Sequence, residues 1–143
     1  MKNKIILVTG AAGSIGSALS KTIAGLKPKM LVILDQDETG IFDLYEEIKT
    51  KCFTEYAIGN IRDKEAMDYL FSQFKPDLIF HCAAYKHVVL MEKWKNEAYK
   101  TNILGLSNVV ELAVKYGTKK FVFISSDKSV NPSSVMGTTK ARG

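Results

Sequence analysis

Long hydrophobic runs are missing from this sequence. No apolar stretch approaches the roughly 18 residues needed to cross a bilayer, so no membrane segment is expected. Met1 to Lys4 leads straight into a strand-like segment with no small-residue cleavage site behind it, and therefore reads as no secretory signal. Cysteine is scarce: Cys52 and Cys82 are the only two, each inside or beside an apolar segment, and their spacing resembles no metal site. They read as reduced, buried thiols of a cytoplasmic protein, with no disulfide and no metal. Charge of one sign never accumulates. The formal net charge is +5, but the lysines are spread along the chain. Neither a basic stripe nor basic residues interleaved with aromatics appears, so no nucleic-acid partner is expected.

What is present is ordinary soluble-protein composition, 46% hydrophobic and 24% charged over 143 residues, which suits one domain spanning 1–143 around one core. Apolar runs alternate with helical patterns from end to end. Residues 4–9, 30–34, 53–58, 77–80 and 120–124 read as five strands, continuously apolar rather than alternating, as in a sheet covered on both faces. Ile15, Ala18, Leu19, Thr22, Ile23 and Leu26 share one helical face, and Phe42, Leu44, Tyr45 and Ile48 lie in a second helix. A third helix follows Asp63 as N-cap. A long helix over 96–116 ends at Gly117. Strands separated by helices predict right-handed crossovers: an α/β, Rossmann-type, doubly wound parallel sheet in the order 3-2-1-4-5.

Gly10, Gly13 and Gly16, with Ser14 and Ile15 between the last two, join the first strand to the first helix. Gly10 lets the chain turn sharply, Gly13 lets backbone approach a pyrophosphate, and Gly16 lets the helix pack close to the sheet. The helix start then offers N–H groups and positive dipole to phosphates. Asp35 follows Gly16 by 19 residues, at the end of the second strand, where a carboxylate can bond an adenosine ribose. That carboxylate disfavours a 2′-phosphate, and Gln36 and Asp37 supply no arginine to reverse the preference. The predicted cofactor is NAD, with NADP as the alternative.

The spacing Gly-x-x-Gly-x-x-Gly resembles the extended class of the short-chain dehydrogenase/reductase superfamily. Asn60 and Ile61, in the stretch from Gly59 to Asp63, resemble that class's adenine-contacting loop, with Asn60 where an aspartate is usual. Ala83 and Ala84 resemble its cofactor-facing turn, and Asn102 with Gly105 its long-helix motif. The stretch His81 to Val88, with Met91 and Glu92, then Thr101 and Asn102, then Ser125 to Lys140, is similar to the nucleotide-sugar 4,6-dehydratases of polysaccharide biosynthesis, the CapD-like group, which includes UDP-N-acetylglucosamine 4,6-dehydratases. The likeness covers essentially the whole chain.

In that family hydride leaves C4 of the sugar for the nicotinamide, water is lost across C5 and C6, and hydride returns to C6. The resemblance implies that Ser126 hydrogen-bonds the oxygen at C4, Asp127 protonates the departing C6 hydroxyl and Lys128 removes the C5 proton. Lys140 would hold the nicotinamide ribose. Met136 stands where the superfamily usually has the tyrosine of Tyr-x-x-x-Lys. A thioether moves no proton, so the C4 hydroxyl proton goes elsewhere, to Asp127 or a bound water. Lys86 is placed with the cofactor-binding residues. It and His87 are also candidates to face substrate, against the plainer reading of a loop lysine and a packed histidine.

A solvated ion pair is the ordinary reading of Asp127 beside Lys128, but their place after the fifth strand, at the carboxyl edge where such sheets bind ligands, favours the site. The net positive field suits an anionic UDP-sugar. Two alternatives stand: a nucleotide-sugar epimerase or reductase, which would usually keep the tyrosine, and a non-catalytic NAD(P)-binding module. Only three residues follow Lys140. The chain is therefore expected to stop before the substrate-binding part and to be inactive alone. Apolar surface near the fifth strand would be left uncovered, inviting homo-oligomer formation. Some relatives are membrane-attached, with this domain in the cytoplasm.

Overall fold

In the computed structural model, residues 1–83 and 100–124 are described. β1 (Ile5–Thr9), α1 (Ser14–Gly25), β2 (Met30–Asp35), α2 (Glu38–Ile48), β3 (Thr54–Ile58), α3 (Lys64–Phe74) and β4 (Leu78–His81) are followed by a π-helical turn (Lys100–Gly105), α4 (Leu106–Lys115) and β5 (Lys120–Phe123). The five strands form one parallel sheet in the order β3-β2-β1-β4-β5. β1 lies at its centre.

Successive strand residues point to opposite faces, and both faces are apolar here. Ile6, Val8, Leu31 and Ile33 pack with Ile23, Ala24, Ile41, Leu44 and Ile48 of α1 and α2. Leu7, Val32, Leu34 and Ile79 pack with Met67, Leu70 and Phe71 of α3 and with Val109, Leu112 and Ala113 of α4. This two-sided burial is why β1 and β2 read as unbroken apolar runs.

Side chains set the starts of two helices, one of them where the sequence placed it. Asp63 accepts the amide of Ala66 at 3.1 Å, and Asp37 caps α2 in the same way through Gly40 at 3.0 Å. Gly117, at φ +75°, follows the end of α4, in the left-handed conformation glycine adopts without strain.

Three readings need correction. The docked face of α1 is Gly16, Ser20, Ile23 and Ala24. The predicted apolar stripe is rotated from it and shares Ile23, while Ile15 is 54% and Leu26 52% exposed. Small residues won because they let the helix axis come closer to the sheet. The long helix also does not run as one regular α-helix, since residues 100–105 are π-helical. Apolar periodicity alone does not reveal one widened turn. Among the described residues, no helix is long and apolar enough to cross a membrane, and no cluster of potential metal ligands occurs. Both cysteines, read as buried, are half-buried.

Candidate functional site

The carboxyl ends of β1, β2 and β4 open onto one cleft. Its walls are Gly10, Gly13, Ser14, Ile15 and Gly16 on one side, Leu34, Asp35 and Gln36 at the end of β2, Gly59, Asn60 and Ile61 after β3, and Cys82 and Ala83 after β4. Open parallel sheets bind ligands at this edge, where connections leave in opposite directions from neighbouring strands.

The glycine loop is shaped by contacts no side chain would tolerate. Gly10 sits at φ +65°, and a Cβ there would lie 2.6 Å from the amide nitrogen of Ala83. A Cβ on Gly16 would lie 2.1 Å from the Gly10 carbonyl oxygen. Gly13 is different: a Cβ would meet only the Gly10 oxygen, at 3.4 Å. Among the described residues no other protein atom crowds it, as expected where an incoming group needs backbone access.

Electrostatics at the first turn of α1 favour an anion. α2 and α3 begin with aspartate caps and have Glu38 and Glu65 in their first turns. α1 begins at Gly13 with no side-chain cap bond and no acid in its first turn. The positive end of its dipole, equivalent to about half a charge, is therefore offset by no acid of that turn.

At the other end, Asp35 accepts the amide of Ala12 through Oδ2 at 3.0 Å and the amide of Asp37 through Oδ1 at 3.1 Å. It thereby ties β2 to the glycine loop. A carboxylate offers about four lone-pair directions, so two amides leave room for hydroxyl donors. Asn60 donates to Gln36 Oε1 at 3.0 Å and accepts the amide of Arg62 at 3.0 Å, bridging the β2 and β3 loops. No lysine or arginine is among the described residues lining the cleft.

The structure thus brings together Gly10, Gly13, Ser14, Ile15, Gly16, Asp35, Asn60, Ile61 and Ala83. Asn102 is not in that wall. It is buried, 3% exposed, within the π-helical turn. Ala84 and Lys86, and Ser126, Asp127, Lys128, Met136 and Lys140, lie outside the described residues.

Leu34, Gln36, Gly59 and Cys82 also line the cleft, and none of them was predicted as a cofactor-binding residue. Each neighbours a predicted site residue in sequence, which is the signal that would have found them. Two supports carried no such signal. A Cβ on Gly40 would lie 2.6 Å from that of Ala12, so the start of α2 abuts the glycine loop. Asn108 of α4 donates to the Ile61 carbonyl at 3.0 Å and the Arg62 carbonyl at 3.2 Å, pinning the β3 loop.

Comparison with known proteins agrees with this geometry. A family model described as "Polysaccharide biosynthesis protein" matches residues 6–142. The probable polysaccharide biosynthesis protein EpsC of Bacillus subtilis is 42% identical over 98% of this chain and 24% of its own length. The UDP-N-acetylglucosamine 4,6-dehydratase (inverting) of Campylobacter jejuni is 36% identical over 96% of this chain and 40% of its own. Among solved structures, Pen from Bacillus thuringiensis superposes with a TM-score of 0.91 at 35% identity, covering 99% of this chain and 43% of that one. The UDP-glucose 4-epimerase of Thermotoga maritima, solved with UDP-glucose, gives 0.85 at 27% identity, covering 96% of this chain and 48% of that one. The chain spans between a quarter and a half of the length of these proteins.

Proposed function

The chain belongs to the polysaccharide biosynthesis protein family, and on that premise we propose that it is the cofactor-binding portion of a nucleotide-sugar 4,6-dehydratase acting on UDP-N-acetylglucosamine or a close relative. The observation that carries the cofactor half of this reading is the cleft itself. Two glycines make contacts that exclude a Cβ, the first turn of α1 has no acid, and a carboxylate lies at the far end.

These residues fit a nicotinamide dinucleotide, with Gly10, Gly13, Ser14, Ile15 and Gly16 against the pyrophosphate and Asp35 on the adenosine ribose. Asn60, Ile61, Ala83, Ala84, Lys86 and Asn102 complete the proposed set, with Lys140 at the nicotinamide ribose. NAD is favoured over NADP because a 2′-phosphate would meet Asp35 and no cation from the described cleft wall. When bound, the dinucleotide supplies the acceptor and later the donor of a hydride.

The chain's own residues do the rest. Ser126 holds the C4 oxygen, Asp127 gives a proton to the departing C6 hydroxyl, and Lys128 takes the C5 proton. Lys140 lends positive charge near the reacting oxygen. Met136 moves no proton, so Asp127 or a water takes the one from the C4 hydroxyl. UDP-sugar is the proposed partner, homo-oligomers the proposed assembly, and the cytoplasm the proposed compartment. In β5, Phe121, Val122 and Phe123 are only half-buried, which supports a covering surface from elsewhere.

The test is NMR of a protein carrying this sequence at the full length of its relatives, incubated with UDP-N-acetylglucosamine and NAD. A 4-keto-6-deoxy product is expected. Inversion at C4 alone would make it an epimerase, and dinucleotide binding without product a non-catalytic module. Asp127→Asn should keep cofactor binding and lose about 10²–10⁴ in rate. Near-normal turnover in that variant removes Asp127 from the mechanism. The 143-residue chain alone is expected to give no product.

A further inference from the structure

His81 ends β4 and is 2% exposed. Its ring stacks against Phe121 and Phe123 of β5, with centroids 5.9 and 6.0 Å away and planes tilted by 29° and 24°. A buried imidazole needs hydrogen-bond partners for its nitrogens. Nδ1 lies 2.8 Å from the hydroxyl oxygen of Thr9, its register partner on β1, which is fully buried. That same oxygen accepts the amide N–H of Ala83 at 3.3 Å.

A hydroxyl has one proton to give and two lone pairs. With the Ala83 amide on one lone pair, the simplest satisfied arrangement sends the Thr9 proton to Nδ1. The imidazole is then neutral, with its own proton on Nε2. A proton on Nδ1 instead would fill both lone pairs of the oxygen with N–H donors and leave the hydroxyl proton in need of another acceptor.

The chain of bonds ends at the cleft. Ala83 lines it, and its amide nitrogen occupies the space a Cβ on Gly10 would need. We propose that His81 is a positioning residue: through the Thr9 hydroxyl it orients the Ala83 amide and so fixes the cleft wall against the Gly10 turn. The proposal rests on the reading of the cleft as a dinucleotide site.

Three measurements on the full chain test it. The chain has two histidines, so ¹⁵N spectra of the rings are readily assigned, and His81 is expected as the Nε2–H tautomer. An Nδ1–H tautomer overturns the proposal. Amide exchange at Ala83 should quicken about tenfold in Thr9→Val and about threefold in His81→Phe, which keeps the stack but removes the acceptor. It should return to nearly the original rate in Thr9→Ser, fold-changes in keeping with one buried hydrogen bond. NAD affinity, titrated where melting curves show every variant folded, should fall by similar factors and be rescued by serine.

Lost Ala83 protection with unchanged affinity would overturn the positioning role. So would a serine variant as weak as the valine one. Should the valine variant not fold, the tautomer and His81→Phe still decide. If the unmodified chain binds no dinucleotide, the cofactor reading fails, and a tautomer and exchange pattern as expected would leave the relay standing by itself.

Discussion

α1 meets the sheet through Gly16, Ser20, Ile23 and Ala24, whereas α3 and α4 meet the opposite face through Met67, Leu70, Phe71, Val109 and Leu112. At Gly16 the first contact brings backbone close to the backbone of Gly10 and Ala11; the second is made by large side chains. The difference follows from what each face supports. Beside the cleft, the start of α1 and the carboxyl end of β1 converge on one small volume, and bulk at Gly16 would force them apart. On the other face nothing has to approach the sheet so closely, so volume fills the gap. The start of α1 should therefore fail when atoms are added, and the α3–α4 face when they are removed.

The largest effect is expected on the large-side-chain face. Phe71→Ala empties a fully buried site and should cost about 3–5 kcal/mol in urea unfolding. Met67→Leu, which conserves volume, should cost less than about 1.5 kcal/mol. A Met67→Leu penalty near that of Phe71→Ala would mean that this face is as intolerant of shape as the other.

On the cleft face one added methyl group should do nearly as much. Helix propensity favours alanine over glycine by about 1 kcal/mol, but the 2.1 Å contact at Gly16 brings an overpacking cost of about 3 kcal/mol or more. Gly16→Ala should therefore destabilise by about 2 kcal/mol or more and abolish dinucleotide binding. Gly25 is the internal control, because a Cβ there meets no atom of the described residues within 4 Å. Gly25→Ala should be stabilising by about 0.5 kcal/mol. Equal signs for the two variants would refute the close-approach argument.

Asp35 sharpens the comparison, since it joins the loop to the sheet without apolar contact. Asp35→Ala should weaken NAD by about 1–2 kcal/mol in calorimetric titration, while sparing NADP. Asp35→Asn keeps an acceptor for the Ala12 amide and should retain more of the loop's order. Tighter binding of NADP than NAD by the unaltered chain would reverse the specificity proposed above.

The smallest effect lies outside both cores, where α3 and α4 are joined by surface charges. The Tyr116 hydroxyl, at 2.6 Å, and the Lys115 ammonium, at 3.0 Å, hold the Asp68 carboxyl below the ordinary carboxylate range. Its contribution is present above the ordinary aspartate value and lost as pH falls through the lowered one. Exposure keeps that contribution small. Tyr116→Phe should move the Asp68 pKa upward in a carboxyl ¹³C titration, and an unmoved value would show that the hydroxyl is not the main cause.

The sequence alone determined the parallel sheet, its strand order and most of the cleft wall. Those depend on local facts: the unbroken apolar runs of β1 and β2 (β3, at the sheet edge, instead alternates), glycines at fixed spacing between strand and helix, and an acidic residue where β2 ends. It did not determine which face of α1 docks, because periodicity counts apolar residues and the winning face carries a glycine and a serine. The π-helical turn around Asn102 escaped it for a related reason, since one widened turn leaves the apolar pattern intact. The Gln36–Asn60 bridge, the Asn108 pin and the His81–Thr9–Ala83 relay join residues 24, 47 and 72 positions apart. Only a parallel sheet, which returns distant segments to the same edge, decides that such pairs meet.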